Sequence, residues 1–332
     1  MRRLLGVAFG ALGSLRVAAY RRGLVPRSHL AGPVVSVGNL GVGGSGKTPV
    51  VARVAEILRD AGRPVAVLSR GYGGSFRGEA LVVSDGAAVL AGADEAGDEP
   101  VMLARDLPGV VVAVGPRRDA VGRAVEARFG PRVHVLDDGF QHLRLERDLD
   151  LVCLDVRDLD DRPMPAGRLR EWPSALFRAD AFLLTRLEVA SEEELAALEA
   201  RLGPARTFRV ARRTTGWRTL AGAPAAAPAS AFLLAAIARP ERFERDVTGC
   251  GVAVVGRAFF RDHHRFRAAD LAGVRTDARA AGADAIATTA KDAVRLPVSA
   301  LDLPVLVLGL AVQIADEGRL RERLLSATGG TA

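Results

Sequence analysis

The chain has 332 residues, 49% of them hydrophobic and 26% charged, so it can bury real cores and is not a disordered protein. The length exceeds that of one ordinary domain, and we expect two packed units. The net charge of +7, carried almost wholly by arginine, favours an anionic partner such as phosphate, nucleic acid or an acidic lipid surface, although genomic bias also enriches arginine. Cys153 and Cys250 lie far apart in apolar runs, which favours buried thiols in a reducing compartment over a zinc site or a disulfide.

The N-terminal segment holds twelve uncharged residues, 4–15, between arginines. A membrane span needs about 20 residues, so this segment does not cross a bilayer. A phosphate-binding sequence follows at once, which argues against an export signal. We expect residues 1–30 to form an interfacial helix on an anionic membrane surface, with Arg21 and Arg22 at lipid headgroups. The alternative is a helix packed on the protein's own core, since Arg16 interrupts a clean apolar face.

Short apolar runs then alternate with helical or loop segments, as buried parallel strands do when helices cover both faces of a sheet. Residues 47–62 have apolar side chains at helical spacing and end at Gly62, which predicts a helix with a glycine stop. The order of strand, loop, helix and strand predicts a doubly wound, mostly parallel α/β sheet that contains a P-loop. The apolar runs lie at 33–38, 64–69, 109–115, 132–137, 149–155 and 181–185.

The second half begins with an Ala/Glu-rich helix, Ser191 to Leu202, and an Ala/Pro-rich segment at 219–230 that indicates a linker or surface crossing. We expect a nucleotide-binding domain at 31–205 and a second, smaller α/β domain at 206–332 that closes over the active site. The second domain is indicated by apolar runs at 231–238, 251–260, 284–289 and 304–310 and a helical stretch near 268–281.

The stretch GVGGSGKT, residues 41–48, fits the phosphate-binding loop pattern of Gly, four residues, Gly-Lys-Thr. An apolar strand precedes it and an amphipathic helix follows, which favours nucleotide binding over a glycine-rich turn. Lys47 can reach the β- and γ-phosphates, and the Thr48 hydroxyl can ligate magnesium. The residues expected to bind nucleotide here are Gly41, Gly43, Gly44, Ser45, Gly46, Lys47 and Thr48.

A second signal is the pair of carboxylates, Asp137 and Asp138, at the end of an apolar strand. Open α/β sheets bind ligands outside the carboxyl ends of their strands, so a magnesium ligand is expected here. Adjacent side chains of an extended strand point in opposite directions, so both can serve only if the strand breaks, which Gly139 allows. Asp-Asp-Gly is also ordinary turn chemistry.

Two further groups are ambiguous from the residues alone. Asp98 and Glu99 precede Pro100 and a helical run, which is typical of a helix cap. His263 and His264 lie between aromatic residues without metal-ligand spacing, and such a pair is more often structural than catalytic.

Seven motifs together resemble one family, the tetraacyldisaccharide 4'-kinases of lipid A biosynthesis. The resemblance implies transfer of the ATP γ-phosphate to the 4'-hydroxyl of a tetraacyl disaccharide 1-phosphate at the cytoplasmic face of the inner membrane. The motifs occur in the family's order as VGNLGVGGSGKTP (37–49), LSRGYGG (68–74), GDEP (97–100), LDDGFQH (136–142), PAGRLRE (165–171), FRDHHRF (260–266) and TTAKDAVRL (288–296).

The resemblance also implies residue roles. Lys47 and Thr48 match the family's phosphate and magnesium positions, and Asp137 and Asp138 match its acidic pair for metal binding and active-site electrostatics.

By the same resemblance, Asp98 matches a catalytic carboxylate that works with the histidine corresponding to His263. This implied catalytic role replaces the interpretation of Asp98 as a helix cap. Arg170 matches an arginine near the phosphates, and Arg117 matches such an arginine less closely.

Two other classes share some of these features. A P-loop GTPase-type switch or metal-insertion chaperone needs a guanine-reading Asn/Thr-Lys-x-Asp, whereas Lys291 and Asp292 of TTAKDA are adjacent. A nucleic-acid ATPase fits the charge, but aromatics are only 5% and no aromatic-interleaved basic stripe appears. We expect a monomer that binds ATP, Mg²⁺ and the lipid, and no nucleic acid.

Overall fold

The chain begins with a long helix and then alternates strands and helices. The computed structural model describes residues 1–43, 46–297 and 301–329. The α-helices of the described residues are α1 Arg2–Arg21, α2 Lys47–Asp60, α3 Ala93–Ala96, α4 Asp98–Asp106, α5 Arg118–Phe129, α6 Glu192–Leu202, α7 Pro240–Gly249, α8 Ala268–Ala280, α9 Ala290–Ala293 and α10 Glu317–Ala327. The β-strands are β1 Val34–Asn39, β2 Val65–Ser69, β3 Leu81–Ser84, β4 Val111–Val114, β5 Val133–Asp137, β6 Leu149–Leu154, β7 Ala181–Leu184, β8 Thr207–Thr219, β9 Pro224–Ala225, β10 Ser230–Ala235, β11 Ala253–Phe259, β12 Ala285–Thr289 and β13 Val305–Ile314.

The strands form one sheet in the order β11-β10-β12-β13-β8-β7-β6-β1-β5-β2-β4-β3, and β9 pairs with β8 beside this path. Among the described strands, the antiparallel pairs are β3 with β4, β8 with β13 and β8 with β9. The predicted α/β class and mostly parallel sheet are therefore confirmed. β1 lies between β5 and β6, so the chain passes to both sides of it and leaves a crevice at its carboxyl end.

Burial on both faces explains why the central strands are continuous apolar runs. Every residue of β1, β2, β4, β5 and β6 is buried. The apolar face of α2, including Val51, Val54 and Leu58, packs in one core cluster with Val35 of β1 and Val135 of β5. Each such side chain contributes about 1.5–3 kcal/mol relative to full exposure, which fixes α2 and the loop before it against the sheet.

β8 is a 13-residue strand that the sequence pattern did not predict. Its first residues pair in parallel with β7, and the remainder pairs antiparallel with β13. Polar residues are frequent in it and only four of its thirteen residues are buried, so it shows neither a continuous apolar run nor a clean period of two. Its pairing with β13 shifts register between Leu308 and Leu310, an irregularity of the kind that bends a sheet.

The expected division into domains at residue 205 stays a prediction. The strand β8, which begins two residues later, pairs with strands of both halves. The C-terminal helix α10 also returns to the first half, where Leu320 and Leu324 join the core cluster of β1 and α2. Arg53 of α2 donates a hydrogen bond of 2.8 Å from Nε to Glu317 of α10. The halves are therefore packed together at two places.

The N-terminal helix α1 has one packed face and one exposed apolar face. Gly6 and Gly10 are buried, and a Cβ on Gly10 would lie 2.2 Å from Nε1 of Trp172, so the helix rests closely on the protein. On the other face, Leu12 and Leu15 are each 67% exposed. One face of α1 is thus packed on the protein, and binding of the other face to a membrane surface stays a prediction. Among the described residues, no helix combines the length and apolarity needed to span a membrane.

Candidate active site

The glycine-rich loop connects β1 to α2, as its sequence context predicts. Gly46 precedes α2 with φ of 77° and Gly43 has φ of 103°, backbone conformations that glycine adopts without a Cβ clash. Gly41 pairs with Leu169 of the PAGRLRE motif. The first turn of α2 therefore begins at the crevice beside β1, where its N–H groups can bind an anion. Gly44 and Ser45 lie outside the described residues.

Lys47 and Arg170 meet at Asp138. The ammonium of Lys47 is 3.4 Å from Asp138 Oδ1 and donates to Asn39 Oδ1 at 2.9 Å. Nη1 of Arg170 lies 2.8 and 2.7 Å from the two oxygens of Asp138. Burial acts to raise the pKa of Asp138, but Lys47 and Arg170 outweigh it and hold the pKa below the ordinary value. Asp138 therefore fixes two cations at the mouth of the phosphate-binding loop.

Asp137 and Asp138 face different neighbours because the strand breaks between them. β5 ends at Asp137, and Asp138 has φ of 56°, in the left-handed region. Asp137 is buried and its Oδ2 accepts a 3.0 Å hydrogen bond from Ser69 Oγ. Burial, followed by the charges of Glu99 and Asp138, raises the pKa of Asp137 to about 6. The break in the strand, which both carboxylates need in order to face the same site, is therefore present.

The oxygen donors near Asp137 fit a magnesium ion. Thr48 Oγ1 donates to Glu99 Oε2 at 3.3 Å, and the charge of Glu99 acts on Asp137. Mg²⁺ prefers oxygen ligands and is commonly held by one or two carboxylates together with the phosphates of its nucleotide. The part of the chain that the structure describes contains no group of three histidine, cysteine or acidic side chains arranged as a complete metal site. The protein residues present therefore suit a metal shared with a polyphosphate.

Asp98 and His263 are in direct contact. Asp98 follows Gly97, the N-cap residue of α4, and its Oδ2 lies 2.9 Å from Nδ1 of His263. Gly97 has φ of 91°, and a Cβ there would lie 2.4 Å from the carbonyl oxygen of Tyr72. The ring of Tyr72 meets the imidazole of His263 edge-on at 5.4 Å between centroids. The LSRGYGG, GDEP and FRDHHRF motifs are thus in contact with one another.

Nearly the whole chain matches one protein family. A model of the tetraacyldisaccharide-1-P 4'-kinase family matches residues 2–329. The chain belongs to this family. A tetraacyldisaccharide 4'-kinase of Anaeromyxobacter dehalogenans (strain 2CP-C) is 45% identical over 304 residues, 87% of this chain and 79% of the relative. That of Desulfotalea psychrophila is 40% identical over 308 residues, 90% and 88% of the two chains.

A solved structure agrees with the fold. The crystal structure of the kinase LpxK from Aquifex aeolicus in complex with ATP has a TM-score of 0.80 and 30% sequence identity, covering 98% of this chain and 97% of that chain. The family resemblance inferred from the seven motifs is therefore confirmed, and the protein is a kinase of the tetraacyldisaccharide 4'-kinase family.

Arg117 makes its ion pair outside this cluster of kinase motifs. Its Nη2 is 2.9 Å from Asp119, a fully buried carboxylate that also binds Arg123 and Arg144. The adjacent Arg118 is buried instead, and Asp137 and Asp138 act on its charge. Burial outweighs these carboxylates and lowers the pKa of Arg118 to about 10. Arg118 itself donates to the carbonyl oxygens of Gly115 and Pro116 at 3.1 and 3.4 Å. A role of Arg117 near the phosphates stays a prediction.

Sequence reasoning also missed Asn39, Ser69 and Glu99 as site residues. Each stands inside one of the seven motifs, and Glu99, next to Asp98, was considered only as a helix cap. The neighbouring His264 has a structural environment, because its Nε2 bonds Asp270 at 2.8 Å and its ring stacks on Phe260.

Proposed function

We propose that this kinase transfers the γ-phosphate of ATP to the 4'-hydroxyl of a tetraacyl disaccharide 1-phosphate, a lipid A precursor. The observation that carries the proposal is that the GDEP motif contacts both groups. Its Glu99 accepts a hydrogen bond from Thr48 of the P-loop at 3.3 Å, and its Asp98 bonds His263 at 2.9 Å. The names of the relatives support the acceptor, and the ATP bound to the Aquifex aeolicus neighbour supports the donor.

The phosphate end of the reaction rests on Lys47, Thr48, Arg170 and the first turn of α2. In phosphoryl transfer the negative charge spreads over the oxygens of the migrating group, so fixed cations lower the barrier. We assign Lys47 and Arg170 this role, with Asp138 holding both in place until the phosphates bind. Gly41, Gly43 and Gly46 would offer backbone N–H groups to the β-phosphate. Gly44 and Ser45, for which we predicted the same role, lie outside the described residues.

The residues that would hold Mg²⁺ are Thr48, Asp137 and Glu99, with Asp138 as the remaining candidate. A bound magnesium ion would neutralise charge on the β- and γ-phosphates. Asp137 is the stronger candidate of the acidic pair, because Asp138 is already saturated by Lys47 and Arg170.

The acceptor end of the reaction rests on Asp98 and His263. As the 4'-oxygen forms its bond to the γ-phosphorus, the bond to the β,γ-bridging oxygen breaks and ADP leaves. The hydroxyl proton must be removed, and we assign it to the Asp98–His263 pair, whose imidazole is the side chain suited to accept it near neutral pH. Asp98 fixes the ring and stabilises the imidazolium that forms.

The exposed apolar face of α1 supports a peripheral association with the cytoplasmic face of the inner membrane. The exposed leucines of that face would enter the headgroup region, while arginines at the helix ends meet anionic lipids. The acyl chains of the substrate would then remain in the bilayer as the headgroup reaches the cleft. We propose that the protein works there as a monomer.

The test is a kinase assay with purified protein, ATP, Mg²⁺ and tetraacyl disaccharide 1-phosphate in detergent micelles. Mass spectrometry should detect a product that has gained one phosphate, and the Lys47→Ala variant should not form it. Absence of product with several acyl variants of the acceptor would refute the proposal, and GTP hydrolysis without a lipid acceptor would favour the switch-protein alternative.

A further inference from the structure

The TTAKDAVRL motif ends beside the Asp98–His263 pair. We define the α9 segment as residues 288–296, which run from the end of β12 through α9. Its polar side chains contact both members of the pair, from the half of the sheet opposite to α4.

Arg295 holds Asp98 from one side. Its side chain is 7% exposed, and its Nε lies 3.1 Å from Asp98 Oδ1, while the other oxygen, Oδ2, bonds His263. The same guanidinium lies 2.9 Å from Asp292 Oδ1 through Nη2 and donates to the carbonyl oxygen of His264 at 2.7 Å through Nη1. The contacts with Asp292 and His264 hold the guanidinium in place, and its charge then pairs with Asp98 Oδ1 while Oδ2 faces His263.

Lys291 holds His263 from the other side. Its Nζ is 3.4 Å from Nε2 of His263 and 2.6 Å from Asp262 Oδ1. An ammonium group can only donate, so the ring nitrogen it faces must be the acceptor. This leaves the proton on Nδ1, which donates it to Asp98. The contact of Lys291 thus favours the tautomer in which Nε2 carries the free lone pair.

Buried hydrogen bonds anchor the α9 segment. Asp292 is fully buried and accepts from Thr289 Oγ1 at 2.8 Å and from the backbone N–H of Ala236 at 3.0 Å. The carbonyl oxygen of Ala236 accepts from the N–H of His263 at 3.3 Å. His263 has φ of 61°, an unfavourable backbone conformation for a residue with a side chain, so its position depends on such contacts.

We propose that the α9 segment positions the proton-accepting pair, with Arg295 setting the orientation of Asp98 and Lys291 setting the tautomer of His263. Both are positioning residues, and the inference rests on the proposed function of the pair. The acceptor hydroxyl takes the place of the Lys291 N–H at Nε2, because this nitrogen has one lone pair. Lys291 then remains on Asp262 beside the reacting oxygen.

The first test compares Arg295→Gln and Arg295→Lys with Arg218→Gln. Arg218 lies 2.7 Å from Asp106 at the other end of α4, so its loss removes an ion pair between the halves without touching Asp98. We expect Arg295→Gln to lower kcat by about 10²-fold with little change in KM for ATP, since a misplacement of about 1 Å can have that effect. Arg295→Lys should restore part of kcat, and Arg218→Gln should retain it. Thermal melting of each variant separates misfolding from misplacement.

The second test reads the tautomer directly. In protein labelled with ¹⁵N-histidine, the ring signals of His263, assigned by their loss in His263→Asn, should show the proton on Nδ1. Lys291→Met removes the donor and should shift those signals towards a mixture of tautomers and lower kcat by about 10-fold or more. This measurement needs neither ATP nor lipid.

The outcomes distinguish this inference from the proposed function. If the wild type forms product and Asp98→Asn does not, while Arg295→Gln is as active as Arg218→Gln, the function stands and the role of Arg295 is wrong. An unchanged His263 spectrum in Lys291→Met would overturn the role of Lys291. Failure of the wild type to phosphorylate any acceptor refutes the proposed function itself.

Discussion

The carboxylate of Asp98 and the imidazole of His263 are joined by a 2.9 Å hydrogen bond although 165 residues separate them in the chain. Asp98 begins α4, between β3 and β4, whereas His263 follows β11 at the opposite end of the strand order. The two ends of the sheet must therefore approach each other, and the irregular pairing of β8 with β13 lies between them. This contact joins elements from the two ends of the strand order.

If Asp98 and His263 accept the proton as one unit, their substitutions will not be additive. Asp98→Asn and His263→Ala should each lower kcat by about 10²- to 10⁴-fold with modest change in the affinity for ATP. The double variant should be little worse than the more damaged single variant, because groups that act together show strong non-additivity. Steady-state kinetics near pH 8 measures this. Fully multiplicative losses would contradict a shared role, and a near-native His263→Ala would make that histidine structural.

Removing the P-loop ammonium should abolish turnover and preserve the fold. Lys47 is bound by Asn39 and Asp138 at the cleft, and Asp138 keeps Arg170 as a partner after Lys47→Ala. We expect kcat to fall by at least about 10²-fold, because a fixed charge no longer opposes the charge on the migrating phosphoryl group. Circular dichroism and thermal melting serve as fold controls. A variant with near-native kcat would rule out this role.

The two aspartates should differ in their response to magnesium. Asp137→Ala removes a proposed ligand and should raise the Mg²⁺ concentration at half-maximal rate. Asp138→Ala releases Lys47 and Arg170 and should lower kcat with a smaller effect on that midpoint. Titration of Mg²⁺ at saturating ATP measures both quantities. Unchanged magnesium curves in both variants would show that Asp137 and Asp138 do not bind the metal and that Asp-Asp-Gly serves only as a turn.

Asp137 should lower the stability of the magnesium-free protein at high pH. Burial first, with Glu99 and Asp138, raises its pKa in the folded state to about 6, above the value in an unfolded chain. The stabilising contribution of its protonated form is present below about pH 4 and is lost as pH rises through about 6. Asp137→Asn keeps a polar partner for Ser69 and should therefore gain up to about 3 kcal/mol over the wild type at pH 8.

Urea unfolding at pH 4 and pH 8 in the presence of a chelator measures that difference. The gain from Asp137→Asn should be small at pH 4, where both chains are uncharged at this position. An equal effect of the substitution at both pH values would show that the ionisation of Asp137 does not govern it.

The exposed face of α1 should bind lipid surfaces independently of its packed face. Leu12→Glu with Leu15→Glu replaces two exposed leucines and leaves Gly6 and Gly10 against the protein. We expect weaker sedimentation with anionic liposomes, by at least about 10-fold in affinity, because two apolar side chains no longer enter the interface. Leu90→Glu, an exposed leucine in a loop far along the chain, is the control. Equal binding by the wild type, the double variant and Leu90→Glu would show that the exposed face of α1 does not bind lipid. Packing against the protein would then be the only role of the helix.

The sequence alone was sufficient for elements whose signal is local. The loop at 41–48 is flanked by an apolar strand and an amphipathic helix, and the structure has β1 and α2 there. Buried parallel strands are apolar along their whole length, so β5 and β6 were predictable within a residue or two at their ends. β8 was not, because only four of its thirteen residues are buried and its pairing partners lie in both halves of the chain.

The sequence by itself determined the α/β class, the P-loop and, through seven ordered motifs, the kinase family. Only the tertiary structure decided which charges meet: that Asp138 contacts Lys47 and Arg170, that Arg117 pairs with Asp119, and that Arg295 and Lys291 contact Asp98 and His263. Local patterns fix secondary structure because backbone geometry repeats over a few residues. Contacts between distant side chains depend on how the whole sheet bends, and no short stretch of the sequence encodes that bend.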